Sequence, residues 1–208
     1  MNHVLKIASV LMVLLLFLFA GMNVYAADSG NILTSSGDDN YGDWDEDWNT
    51  VTGQCGRAIS WKFTVATGML ELTGSGEIWS RYEHEAAWWN PADVKSIAFH
   101  GNIISIGEGA FSGCTNLTEM VIAESVHQIG DRAFEGCAKL SRLTLPLSVY
   151  EIGEKAFYGC SALRSVSLTN NLESVGNDCF AGCPKITDVY FTGSAHDWRL
   201  LSEGADMG

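Results

Sequence analysis

Basic charge is scarce in this sequence: 12 Lys and Arg stand against 25 Asp and Glu among 208 residues, for a formal net charge of −13. A surface of that sign repels phosphate backbones and anionic lipid headgroups, so nucleic acid is not an expected partner. Catalytic and metal signatures are missing too. His84-Glu85-Ala86-Ala87 begins like a zinc-protease helix, but Trp88 stands where the second His must be. Gly74-Ser75-Gly76 lacks the outer glycines of a nucleophile elbow, and no phosphate-cradling G-x-x-x-x-G-K occurs. There is no CxxC pair, and His100, His127 and His196 have no recurring ligand or acid–base partner nearby, which makes them solvated loop residues. The expectation is no catalytic residues, no metal, no cofactor and no enzyme.

A run long enough to span a bilayer is also lacking. Val10–Ala20 is apolar but falls well short of the roughly 20 residues a spanning helix needs. With Lys6 ahead of it and Val24-Tyr25-Ala26 behind, residues 1–26 read as a secretory signal peptide, leaving no membrane span after cleavage. Met22 follows Phe19-Ala20-Gly21 where a lipid-attachment Cys would stand. The chain ends at Ser202–Gly208 without an apolar tail or wall-sorting signal, so free secretion, or a hold the sequence does not display, is expected. Residues 27–49 form an acidic segment with Asp38, Asp39, Asp43, Asp45, Glu46 and Asp47 and no Lys or Arg. It cannot bury enough apolar area to offset its ordering entropy, and a disordered linker is expected. A calcium loop from Asp43 fails, because Trp48 and Gln54 occupy the places of the turn Gly and the bidentate Glu.

What the sequence does contain is a repeat. Ile106-Gly107-Glu108-Gly109-Ala110-Phe111-Ser112-Gly113-Cys114 recurs from Ile129, Ile152 and Val175 as I/V-G-x-x-A/C-F-x-G-C. The glycines at 107, 130, 153 and 176 and the cysteines at 114, 137, 160 and 183 keep a strict 23-residue spacing. After each Cys comes an apolar series such as Leu140, Leu143, Leu145, Val149. Its L-x-L portion alternates as a half-buried strand does, while A-F-x-G-C packs into a tight helical turn ended by Gly. One coil exposes its apolar residues at both open ends, so only neighbouring coils can cover them. The fold class is therefore α/β: a solenoid with one short strand and one short helical turn per 23-residue repeat.

These residues resemble BspA-like leucine-rich repeats, with units of I-G-x-x-A-F-x-G-C-x-x-L-x-x-L-x-L-P; Leu143-Thr144-Leu145-Pro146 keeps even the terminal Pro. The resemblance covers residues 94–192, four copies plus a partial one at Val94–Phe99. Residues 50–93 look like the leader often found before such arrays, and 193–208 like a closing cap and tail. In the leader, Ile59, Trp61, Phe63 and Val65 alternate with polar residues, Thr67-Gly68 turns, and Leu70 and Leu72 continue a second strand, giving a β-hairpin cap. In the tail, Trp198 and Leu201 share one face of a helical turn. The resemblance implies a secreted, extracellular or cell-surface protein that binds matrix proteins or other cells.

Six cysteines in an exported chain are an even number that suggests disulfides, with Cys179 and Cys183 the pair to suspect; the periodicity of the other four favours buried thiols in one inward column. Outward on the strands lie Glu119, Arg142, Ser165 and Asp188 in one file and Val121, Thr144, Ser167 and Tyr190 in another, with Arg164 beside them. Together they make a broad, shallow candidate face for a protein partner. Two other readings stand beside it: a passive envelope spacer, and a carbohydrate-binding accessory acting through Trp79, Tyr82, Glu83, Glu85, Trp88 and Trp89, where a hydrophobic cap explains the cluster equally well.

Overall fold

The computed structural model describes residues 43–44, 49–81 and 91–203, all within the unit Gly37–Gly208. The expected signal peptide, most of the acidic linker, the aromatic cluster from Tyr82 to Trp89 and residues 204–208 lie outside the described residues.

The described chain opens as an antiparallel meander. β1 (Asp43–Trp44) pairs with β2 (Thr50–Gly56), β2 with β3 (Ile59–Thr64), and β3 with β4 (Met69–Ile78). β1 lies inside the segment read from composition as linker, its two residues paired with Thr52 and Val51. Ile59, Trp61 and Phe63 are buried in alternation, as their period requires, and Leu70 and Leu72 face the same core. Val65 does not continue that alternation: β3 stops at Thr64, the chain turns back through a Gly68 N–H to Thr64 carbonyl bond of 2.9 Å, and Val65 is left exposed.

β4 then runs parallel to β5 (Ser96–Ile106), paired from Met69 with Ser96 to Ile78 with Ile106, and the repeats follow. Each repeat contributes two short strands, not one. β6 (Glu119–Met120), β8 (Arg142–Thr144), β10 (Ser165–Leu168) and β12 (Asp188–Phe191) come from the leucine-rich segment. β7 (Gln128–Ile129), β9 (Glu151–Ile152) and β11 (Ser174–Val175) come from the residues just before each conserved Gly. The second strand escaped the sequence because two residues show no period, yet its logic is the same: Ile129 and Ile152 are buried beside exposed Gln128 and Glu151.

The A-F-x-G-C segments form no helix, which corrects the expected helical turn. Hydrogen bonds there alternate in direction. Ala110, Ser112 and Cys114 donate within the coil to the carbonyls of Gly107, Gly109 and Phe111. Gly109, Phe111 and Gly113 donate instead to Asp131, Ala133 and Glu135 of the next coil at 2.7–2.8 Å. The same alternation repeats from Arg132 and from Lys155. A helix directs every N–H along its own axis. Here half of them serve as cross-ties, so the backbone is satisfied only when the next coil is present.

Side chains of equal repeat position stack in columns. Phe111, Phe134, Phe157 and Phe180 lie ring over ring at 5.2, 5.3 and 5.7 Å with interplanar angles of 19°, 4° and 9°, and Phe99 closes the stack edge-on at 6.1 Å. All six cysteines are buried, free thiols, Cys179 and Cys183 included. Cys137, Cys160 and Cys183 donate to the carbonyls of Phe111, Phe134 and Phe157 in the preceding coil, at 3.3–3.5 Å. Ser125, Ser148 and Asn171 likewise tie to carbonyls of the coil before, at 2.7–2.8 Å. At the far end α1 (Ala195–Glu203) starts from a reciprocal cap, with Asp197 N–H on Ser194 Oγ and the Asp197 carboxylate on Ser194 N–H. It sets Trp198 against Phe191 at 5.4 Å and buries Leu201.

Two glycine columns have different causes. A Cβ on Gly153 would lie 2.5 Å from Asp131 N and 2.7 Å from Gly130 C, so close approach of two backbones excludes it. Gly159 has room, but its φ of +71° is left-handed. Gly153→Ala is therefore expected to cost about 3 kcal/mol through a forced backbone shift, and Gly159→Ala about 1–2 kcal/mol through local strain. Urea unfolding of the two variants checks the order. Burial also pushes the thiols of Cys55, Cys114 and Cys179 up from 9.0 to about 12. Above pH 9 the unfolded chain releases protons that the folded chain retains. Stability is then complete below pH 9 and falls as pH rises towards 12, by up to about 1.4 kcal/mol per pH unit for each thiol. Urea midpoints between pH 8 and pH 11 should show the fall, and Cys114→Ala should make it shallower.

Candidate interaction face

The parallel register turns repeat positions into neighbours. Arg142, Ser165 and Asp188 are paired side by side, and so are Thr144, Ser167 and Tyr190. Arg142, Thr144, Asp188 and Tyr190 are exposed and the two serines half-buried, while Leu143 and Val166 between them point into the core. Arg164 stands just ahead of β10: its side chain is exposed, its N–H bonds to Ser141 and its carbonyl accepts from Thr187 and Asp188. Glu119 is paired with Ser96, and Val121, just past β6, is 79% exposed.

The face is not continuous. The 23-residue backbone tie runs from Thr118 N–H to Lys95 O at 2.9 Å, from Arg164 to Ser141 at 2.9 Å and from Thr187 to Arg164 at 3.0 Å. The member that should join Ser141 N–H to Thr118 O is missing among the described residues. β6 bonds only to β5, and β8 only to β10, so the strand face splits into two sheets at this step. On the adjoining face nothing breaks: Gly130, Gly153 and Gly176 donate in turn to Ile106, Ile129 and Ile152, each at 2.8 Å. The two coils are tied behind and lack one ladder bond in front.

Thr192 N–H donates to Leu168 O across the last two coils. Two repeats earlier the same column holds Pro146, which has no N–H to give to Ile122 O. Along this step runs an open groove of about 820 Å³. Ile97, Ile122 and Leu145, all buried, lie along it with Met120; Glu119, Glu124 and Arg142 bring the charge.

Of the eight residues read as a partner face, the groove gathers Glu119, Val121, Arg142 and Thr144. Arg164, Ser167, Asp188 and Tyr190 stay on the flat part beyond it. The sequence reading missed Met120, Glu124 and Pro146, and Pro146 was the one available signal, since no other repeat has a proline at that position. Elsewhere the surface of the described residues offers little chemistry. His100 Nε2 lies 3.7 Å from a Glu71 carboxylate oxygen in solvent, and no cluster of metal-ligating side chains occurs among the described residues. Among those residues no helix is long and apolar enough to cross a membrane.

Comparison with known proteins agrees with the array and extends it. The family model described as BspA type Leucine rich repeat region matches residues 84–199 in six copies, reaching into both flanks of the four clear repeats. A leucine-rich cell surface protein of Faecalibacterium prausnitzii is 18% identical, with a TM-score of 0.55 over 71% of this chain and 41% of that one. This chain thus spans well under half of that structure, and the likeness is one of fold. A leucine-rich repeat protein of Bacteroides ovatus is 24% identical over 65% of this chain and 40% of that one, with a TM-score of 0.48. A third, from T. pallidum, is 20% identical over 66% and 81%, with a TM-score of 0.44. No curated protein matches the sequence. Because the family match covers more than half of the 208 residues and rests on the columns just described, the chain belongs to the BspA type leucine-rich repeat family.

Proposed function

We propose that this protein is a non-catalytic, secreted or cell-surface interaction module whose strand face binds a protein of the extracellular matrix or of another cell. The observation that carries the reading is the contrast between the two sides of each strand. Inward positions are filled by interlocked columns that leave no freedom for chemistry. Outward positions hold Arg142, Thr144, Asp188 and Tyr190 in rigid files, exposed and unengaged in the core. Solenoids use such extended faces for recognition, and Tyr and Arg are the residue types that most often anchor protein interfaces. The apolar run at Val10–Ala20 and the cell-surface description of the Faecalibacterium relative support export. The meander before the repeats and α1 after them serve, in this reading, as end caps that cover the first and last coils.

The test is binding of the purified protein to an array of matrix proteins and glycans at physiological salt. Saturable binding to a protein is expected, weakened at least about tenfold by Arg142→Glu and by Tyr190→Ala, a loss of about 1.4 kcal/mol or more for each. Binding to glycans alone, lost on changing Trp88, would move function to the leader. Binding to nothing would leave a spacer, and either result overturns the proposal.

A further inference from the structure

Among the described residues the array is covered at one end and open at the other. At the first coil β5 is paired along its length with β4, from Met69 with Ser96 to Ile78 with Ile106. At the last, β12 is the end strand of its sheet, paired with β10 alone. The consequence shows in one column: Leu143 and Val166 are 1% and 2% exposed, whereas Val189, next in the same register, is 51% exposed. Helix α1 does not cover it. Trp198 lies against Phe191 and Leu201 is buried, yet Asp188, Val189 and Tyr190 are all exposed and Phe191 is only half-buried. Nor does the strand carry what usually blunts an edge, since its register with β10 is unbroken from Asp188 to Phe191 and it holds no proline or lysine. Its backbone is set out for a neighbour. Asp188 and Thr192 N–H donate to Arg164 and Leu168 carbonyls, so by alternation the N–H and C=O of Val189 and Phe191 turn away from β10.

We propose that β12 pairs with β12 of a second copy of this chain, antiparallel about a twofold axis at Tyr190. Two observations select that occupant. With the first coil covered by β4, a head-to-tail stack of copies is closed off, and two open ends meet only in a closed pair. The strand is also its own complement. Setting the outward-turned backbones opposite each other puts Val189 across from Phe191 of the second copy, and the reverse, each pair exchanging both backbone hydrogen bonds. Both side chains lie on the core side of the sheet, so the exposed apolar positions cover each other. Tyr190 then stands beside its twin on the outer side as an aromatic cross-strand pair, and Asp188 faces Thr192 of the second copy and not another carboxylate. A register centred on Val189 would call on Thr187 N–H, which is already spent on Arg164 O. The pairing joins two three-stranded sheets into one and carries the outward files from one copy into the other, whatever that face binds.

Sedimentation equilibrium of the purified protein reads the mass, at physiological salt, where repulsion between copies of charge −13 is screened beyond about 8 Å. A monomer–dimer equilibrium is expected, with no larger species. Val189→Pro removes an edge N–H that β10 does not use and should weaken association at least about tenfold. Val189→Asp should do the same by placing charge in the apolar pair, and circular dichroism checks that both variants stay folded. Leu147→Asp, at an apolar residue 59% exposed and away from β12, should leave the equilibrium unchanged. Tyr190→Cys should crosslink two copies under a mild oxidant, because the pair at the axis brings Cα atoms to about 4.5 Å, whereas Asp188→Cys should not. A protein monomeric throughout, a dimer indifferent to both Val189 variants, or crosslinking by Asp188→Cys in place of Tyr190→Cys overturns the pairing. A monomer that binds a matrix protein with Tyr190 dependence ends the pairing and leaves the interaction face standing; a dimer with this register that binds nothing in the array does the reverse.

Discussion

Backbone contact between adjacent coils at the glycine column sets the geometry of everything else. Gly130, Gly153 and Gly176 each lie against the two residues that hold the same place one coil earlier, so near that a single methyl group would overlap main-chain atoms. That contact fixes the coil spacing at one end of each turn, and the turn ladder of Phe111, Phe134 and Phe157 N–H bonds fixes it again a few residues on. With spacing imposed twice by backbone, side chains have to fit it. The phenyl rings stack at 5.2–5.7 Å, within the range where aromatic pairs gain about 0.5–1.5 kcal/mol beyond area burial. Cysteine suits the neighbouring column because its small side chain fills the space and its weak S–H still reaches the Phe carbonyl of the coil before.

The cost of such regularity is paid at the turns. Gly109 heads a column that continues with Arg132, Lys155 and Asp178, all left-handed at φ between +53° and +56°. Three side chains therefore tolerate a conformation that disfavours them, because the cross-ties on either side leave the backbone no alternative. Lys155 gains some return from Glu154 Oε1 at 2.8 Å and Asp178 Oδ2 at 3.6 Å, both in solvent, where an ion pair contributes little. The conformation is held by the ladder and not by the charges.

This separation explains what was legible in the sequence. Buried columns recur with the period, so Gly107, Phe111, Cys114 and Leu117 announce themselves by spacing, and the outward files follow by subtraction. Left-handed turns at Arg132 and Lys155 leave no mark, since their side chains are those of any exposed position. The second strand at Gln128–Ile129 is too short to show alternation. β1 at Asp43–Trp44 is hidden because edge pairing uses main-chain groups, and composition argues for linker there whatever the backbone does. The helical turn was a misreading of the same kind: Ala-Phe-x-Gly-Cys has the residues of a turn closed by Gly, but only the presence of the next coil decides that half of its N–H groups leave the coil. The reciprocal Ser194–Asp197 cap ahead of α1 came from the structure, and it agrees with the helical face expected at Trp198 and Leu201.

The break in the strand face shows why irregularity matters more than content in an array of this kind. A repeat that is perfect presents the same short polar side chains at every step, and no step is more selective than another. Discrimination then has to come from a place where the translation fails. At the step from β6 to β8 one ladder bond is missing, while the glycine contacts, the turn cross-ties and the β7–β9–β11 ladder keep the coils aligned. Rigidity around the gap is what gives the gap a definite shape. The glycine bonds are the same at this step as at its neighbours, so the regular part of the molecule frames the irregular step without causing it.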